Sequence, residues 1–99
     1  MIYDDLFSKE LLQAIDRFIA LRIRALRFYH KCSRAQLTQM INISIIDLEK
    51  YESATKTIPV EILKLIAEAL IGGKIDYFYK GLNAVITLPP LNSKISNDT

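Results

Sequence analysis

All five arginines of this 99-residue chain fall between positions 17 and 34: Arg17, Arg22, Arg24, Arg27 and Arg34. Lys31 joins them and no acid interrupts them, so the stretch carries +6. Residues 1–16 set Lys9 against Asp4, Asp5, Glu10 and Asp16, or −3, and residues 35–99 set six lysines against seven acids, or −1. The formal charge of +2 therefore hides a strongly basic block. A block of one sign beside a near-neutral remainder suits an anionic partner, nucleic acid above all. A solvated helix face reads the same way, and charge alone does not choose between them.

Other reactive side chains lead nowhere comparable. His30 and Cys32 are neighbours, but each is the sole residue of its type, which excludes a His/Cys metal shell and an intramolecular disulfide framework. No glycine-rich phosphate loop is present, and no pair of carboxylates has a spacing that would bring both into one cleft. Neither an enzyme nor a cofactor is expected.

The scaffold for the basic block is constrained by composition. With 51% apolar and 24% charged residues the chain matches an ordinary globular domain. Its length allows one domain, burying roughly 60–70% of its unfolded surface. No apolar run approaches the ~18 residues that would span a membrane. The acidic start Met1–Asp5 does not resemble a signal peptide, so a cytoplasmic protein is expected. Three glycines and three prolines are too few for a chain of hairpins, which leaves an all-α fold.

From Ser8 to His30 there is no Gly or Pro, and Leu11, Ile15, Phe18, Ile19, Ile23 and Leu26 recur at helical spacing. This predicts a long first helix, starting near Ser8 or Asp5 and ending near Lys31. Ser33 and Gln36 then form a capping-box pattern, with Cys32 and Leu37 as a hydrophobic staple, predicting a second helix over Arg34–Ile41. Asn42 sits where the chain must leave that helix, and Asn tolerates the left-handed conformation. The grammar repeats at once: Ser44 caps, Ile43 and Leu48 staple, and Asp47 meets the positive helix end. A third helix follows over about Ile45–Glu52. So short a link, Asn42-Ile43-Ser44, forces a steep crossing, the helix-turn-helix geometry.

Ser53–Ile58 reads as a loop and Pro59 as the first turn of a fourth helix, which carries Ile62, Leu63, Ile66, Ala67 and Leu70 and stops at Gly72-Gly73. Ile75–Lys80 predicts a short fifth helix ended by Gly81. In the tail Asn83–Thr99, disorder is expected after about Leu91, with Val85–Leu88 a short strand against a partner.

Arg22-Ile23-Arg24-Ala25-Leu26-Arg27, Ser33-Arg34-Ala35-Gln36-Leu37, Ile43-Ser44 and Lys50-Tyr51-Glu52 resemble the phage-repressor-like helix-turn-helix family of bacterial transcription regulators, of Cro/CI or XRE type. Ile58-Pro59, Leu63, Ala67-Glu68-Ala69-Leu70 and Asp76-Tyr77-Phe78-Tyr79-Lys80-Gly81-Leu82 extend the likeness, which covers about Ile15–Leu82. The resemblance implies a compact five-helix domain over residues 15–82, preceded by an N-terminal extension of the first helix (1–14) and followed by a flexible tail (83–99). It also implies a homodimer on double-stranded DNA, with the third helix in the major groove.

By the same resemblance, Arg27 and Glu52 correspond to a buried ion pair. Arg34 takes the position where the family usually carries a phosphate-binding Gln, and an arginine adds a full charge to that role. The base-reading positions correspond to Ser44, Ile45, Ile46, Asp47 and Lys50, and Lys56 lies in a loop where relatives contact phosphate. Here the sequence departs from the pattern, because isoleucine reaches only a thymine methyl and Asp47 repels phosphate, although it can accept from a cytosine amino group. The alternative is that Ile45-Ile46 form a protein-contact patch, in an antitoxin-like module that has lost DNA binding. Lys31, Asn42 and Ala54 stand where the family commonly has glycine, and a left-handed conformation would cost Lys31 and Ala54 about 1–2 kcal/mol each, so altered turns are expected at those two. Thr38 replaces a small alanine between the second and third helices. Surplus apolar residues (Ile2, Tyr3, Leu6 and Phe7, with Tyr77, Phe78 and Tyr79) either enlarge the core or form a dimer surface.

Overall fold

The computed structural model describes the backbone of residues 2–82 and the side chains of residues 9–82. It contains α1 (Ile2–Tyr29), α2 (Arg34–Ile41), α3 (Ile45–Glu52), α4 (Val60–Ile71) and a short 3-10 helix (Ile75–Phe78). There is no strand among the described residues. The proposed strand Val85–Leu88, the tail, and the side chains of Ile2, Tyr3, Leu6 and Phe7 lie outside them.

α1 starts at Ile2, earlier than either expected cap, because nothing before Ser8 interrupts the helical pattern. It ends where Lys31 adopts a left-handed φ of 53° and turns the chain toward α2.

α2 and α3 take the bounds that their caps dictate. The Ser33 hydroxyl accepts from the Gln36 N–H at 3.0 Å, while the Gln36 side chain accepts from the Ser33 N–H at 2.9 Å. Asn42, at φ 60°, closes α2 by donating its N–H to the Thr38 carbonyl. Two residues on, the Ser44 hydroxyl accepts from the Asp47 N–H at 3.0 Å and opens α3. Cys32 and Ile43, one residue before each cap, are half-buried against the core that holds Leu37 and Leu48. Local hydrogen bonding therefore sets the helix ends, and the staples fix the entry angle.

The five-helix expectation is corrected to four α-helices and one 3-10 turn. Tyr77 and Tyr79 donate their N–H groups three residues back, to Lys74 and Asp76, which is 3-10 pairing. Gly73 and Gly81, both at φ 84°, bracket the segment and leave no room for a full helix. The tight turn inserts Phe78 completely into the core.

That core joins Ile19, Ile23 and Leu26 of α1 to Leu37, Leu48, Tyr51, Leu63, Ile66 and Phe78. Each such side chain contributes roughly 1.5–3 kcal/mol by leaving water. α4 begins one residue after Pro59, which serves as its cap rather than its first turn, at φ −65° with no side-chain hydrogen bond.

Altered turns are expected at Lys31 and Ala54, and both nevertheless take left-handed backbone. Lys31, Asn42 and Ala54 all take φ between 53° and 60°. For Lys31 and Ala54 this costs about 1–2 kcal/mol each, since Cβ crowds the following carbonyl. Thr38 is buried and donates its hydroxyl to the Ala35 carbonyl at 3.0 Å, so its extra polar atom is satisfied inside α2.

Candidate nucleic-acid interface

The C-terminal end of α3 is built around one carboxylate. Glu52 is 1% exposed, and Arg27 donates to it twice, Nε to Oε2 at 2.7 Å and Nη2 to Oε1 at 2.9 Å. Arg27 spends a third N–H on the Cys32 carbonyl, at 3.0 Å. Hydrogen bonding to the Glu52 carboxylate holds the Arg27 pKa above its ordinary value, and it outweighs the opposing effect of burial. Arg34, at the first position of α2, reaches the same Oε1 with its Nε at 2.9 Å. Arg24 donates to the Glu52 main-chain carbonyl at 3.2 Å, satisfying one of the free carbonyls at the helix end. No buried side-chain polar atom lacks a partner among the described residues.

These bonds, with those of Arg22, occupy four of the six cations that suit an anionic partner by charge. Arg24, Arg27 and Arg34 converge on Glu52. Arg22 turns the other way, donating to the Tyr77 and Lys80 carbonyls at 2.6 Å each, with its guanidinium against the Phe18 and Tyr77 rings. Among the described residues only Arg17 and Lys31 of the block make no side-chain hydrogen bond or ion pair. The arginine density serves the fold first. What it leaves outward is Arg17, Lys31 and the part of Arg34 not bound to Glu52, whose side chain is 41% exposed.

α3 presents Ser44, Ile45, Ile46, Glu49 and Lys50 outward, and Asp47 is half-buried. The Ser44 hydroxyl is engaged in its cap. Ile45 and Ile46 are 43% and 59% exposed, while Leu48 and Tyr51 on the opposite side are buried. Lys56 lies 3.6 Å from the Asp47 carboxylate and over the Tyr51 ring. The loop bearing Lys56 is stitched to α3: the Lys50 carbonyl accepts from the Thr55 and Lys56 N–H groups at 3.0 and 3.3 Å, and from the Ser53 hydroxyl at 3.2 Å.

Arg34, Ser44, Ile45, Ile46, Asp47, Lys50 and Lys56 thus lie on α2, α3 and the following loop, with Arg27 and Glu52 beneath them. Sequence reasoning missed the roles of Arg22 and Arg24, and it missed the bond from the Thr57 hydroxyl to Asp16 at 2.7 Å. Only the three arginine-to-arginine steps along α1 hinted that some guanidinium must face the core.

Among the described residues no group of three or more metal-ligating side chains occurs, and no helix there is long and apolar enough to cross a membrane. A three-residue link between two short capped helices, with the second outward-facing and anchored at its far end, defines a helix-turn-helix protein. The chain is 40% identical over 87 residues to an uncharacterised HTH-type transcriptional regulator of Rickettsia conorii, a match covering 88% of this chain and 69% of that protein. An uncharacterised HTH-type transcriptional regulator of Rickettsia prowazekii matches to the same extent, over 66% of its length. No family model and no solved structure matches. The chain belongs to the HTH-type transcriptional regulators.

Proposed function

We propose that the protein is a sequence-specific DNA-binding regulator of the Cro/CI or XRE type, cytoplasmic, acting as a homodimer with α3 in the major groove. Residues 15–82 form the binding domain, residues 1–14 extend its first helix, and residues 83–99 form a tail. The observation that carries this reading is the outward face of α3, held rigid by the Glu52 anchor and by two capped helix starts. Arg34, Lys50 and Lys56 supply phosphate contacts, and Ile45 and Ile46 meet thymine methyls, giving T-rich sites. Asp47 selects against backbone approach at one point and accepts from a cytosine amino group.

The test is fluorescence anisotropy with random duplex DNA across a salt series. Affinity should fall steeply as salt rises, and Lys50→Ala should reduce the slope by about 1. Selection from a random pool should then enrich T-containing half-sites. An absence of binding at low salt would overturn the reading in favour of a protein-interaction module. The exposure of Ile45 and Ile46 beside two acids is the observation that favours that second possibility.

A further inference from the structure

Between the last turn of α1, the last turn of α4 and the 3-10 helix lies a hollow of about 620 Å³. Leu26, Leu70 and Ile71 give it apolar walls, and Tyr29 and Tyr77 line it as well. Tyr77 is a fixed wall, because the Arg22 guanidinium lies 5.1 Å from its ring centroid and Phe78 meets it edge to face at 5.4 Å. Tyr29 is 81% exposed and stands outside the core cluster, so the fold does not require its ring. A second hollow, of about 560 Å³, shares His30 and Leu70 with the first and runs on past Lys31 to Gln39 and Met40. No residue of α3 lines either one, so this surface is separate from the face proposed to meet DNA.

Charge and size say what fits. His30 and Lys74 edge the first hollow and Lys31 the second, and no carboxylate among the described residues lines either. These three side chains make no hydrogen bond or ion pair among the described residues, whereas Arg22, Arg27 and Arg34 are committed to the fold. An anion is therefore met by donors with nothing to give up. Small-molecule sites typically enclose roughly 300–1,000 Å³, with apolar walls and a few polar groups at the edge. Two phenol rings suit a flat aromatic body, which they can meet by stacking or edge to face.

We infer that the hollow between Tyr29 and Tyr77 is a binding site for a small aromatic acid in its anionic form. The aromatic body lies against Leu26, Leu70 and Ile71, and the anionic head meets Lys74 beside His30. The site goes beyond DNA binding and does not depend on it.

The test titrates the full chain with two probes whose fluorescence rises in apolar surroundings, the anionic anilinonaphthalene sulfonate and the neutral phenylnaphthylamine. The sulfonate should bind one per chain, about fivefold more tightly than the neutral probe, which is the reach of one exposed ion pair. Lys74→Gln should erase that difference without weakening the neutral probe, and added salt should do the same. Tyr29→Ala should weaken both probes about tenfold with an unchanged circular dichroism spectrum. Amide NMR shifts on adding the sulfonate should centre on residues 25–30 and 70–77. No binding, equal affinity for the two probes, indifference to Tyr29→Ala, or shifts centred on α3 would each overturn the inference. Probe affinity that falls as protein concentration rises would overturn it by giving the hollow to a second copy. Probe-induced shifts in residues 83–99 would overturn it by giving the hollow to the tail.

Discussion

Arg27 meets Glu52 through two parallel N–H···O bonds, 2.7 and 2.9 Å long, and both side chains are sealed from water. The planar fork of the guanidinium matches the two carboxylate oxygens, so direction and charge are satisfied together. Removing one partner leaves the other charged in a dry site. Glu52→Ala should therefore cost about 3–5 kcal/mol, measured by urea or thermal unfolding. An unchanged midpoint would show the pair to be dispensable.

Two strained turns offer the opposite test. Ala54 and Lys31 hold left-handed backbone that glycine adopts freely. Ala54→Gly and Lys31→Gly should each stabilise the protein by roughly 0.5–1 kcal/mol, the relief of strain exceeding the entropy lost by the more flexible residue. Differential scanning calorimetry checks the sign.

Arg22 clasps the 3-10 segment through the Tyr77 and Lys80 carbonyls. Arg22→Ala should lower global stability by about 1–3 kcal/mol, because charged hydrogen bonds and ring stacking are lost together. Hydrogen exchange should also accelerate first at the Tyr77 and Tyr79 amides, ahead of those in α4. Uniform acceleration would mean that the clasp has no local effect.

Ser44 faces the proposed groove while its hydroxyl caps α3. Ser44→Ala should cost about 1 kcal/mol of stability and leave the salt dependence of DNA binding unaltered. A changed salt slope with unchanged stability would assign the hydroxyl to phosphate instead.

The Asp47–Lys56 pair lies at the surface and is worth little to the fold, about 0–1 kcal/mol. On the proposed DNA-binding face its effect on binding should be larger, because Asp47 would repel phosphate and hold back a cation. Asp47→Asn should tighten binding to random duplex and steepen its salt dependence, read by anisotropy.

The helix-turn-helix was legible in the sequence because its signals are local. Ser33 and Gln36, or Ser44 and Asp47, stand three residues apart, so their types alone imply the hydrogen bonds that fix α2 and α3. The fate of the arginines was not legible. Arg22 bonds to residues 55 and 58 positions away, and a count of charges cannot reveal that its targets are main-chain carbonyls. The partnership of Arg27 with Glu52 came from family resemblance, because 25 residues separate them and nothing between them marks the bond.

Arg24 and Arg27 from α1 and Arg34 from α2 all terminate on the last residue of α3. α3 consequently has no swivel of its own: tilting it would tear a bond to each neighbour. With α3 in the groove, as proposed, accommodation to sites of different curvature or groove width would come from bending of the duplex.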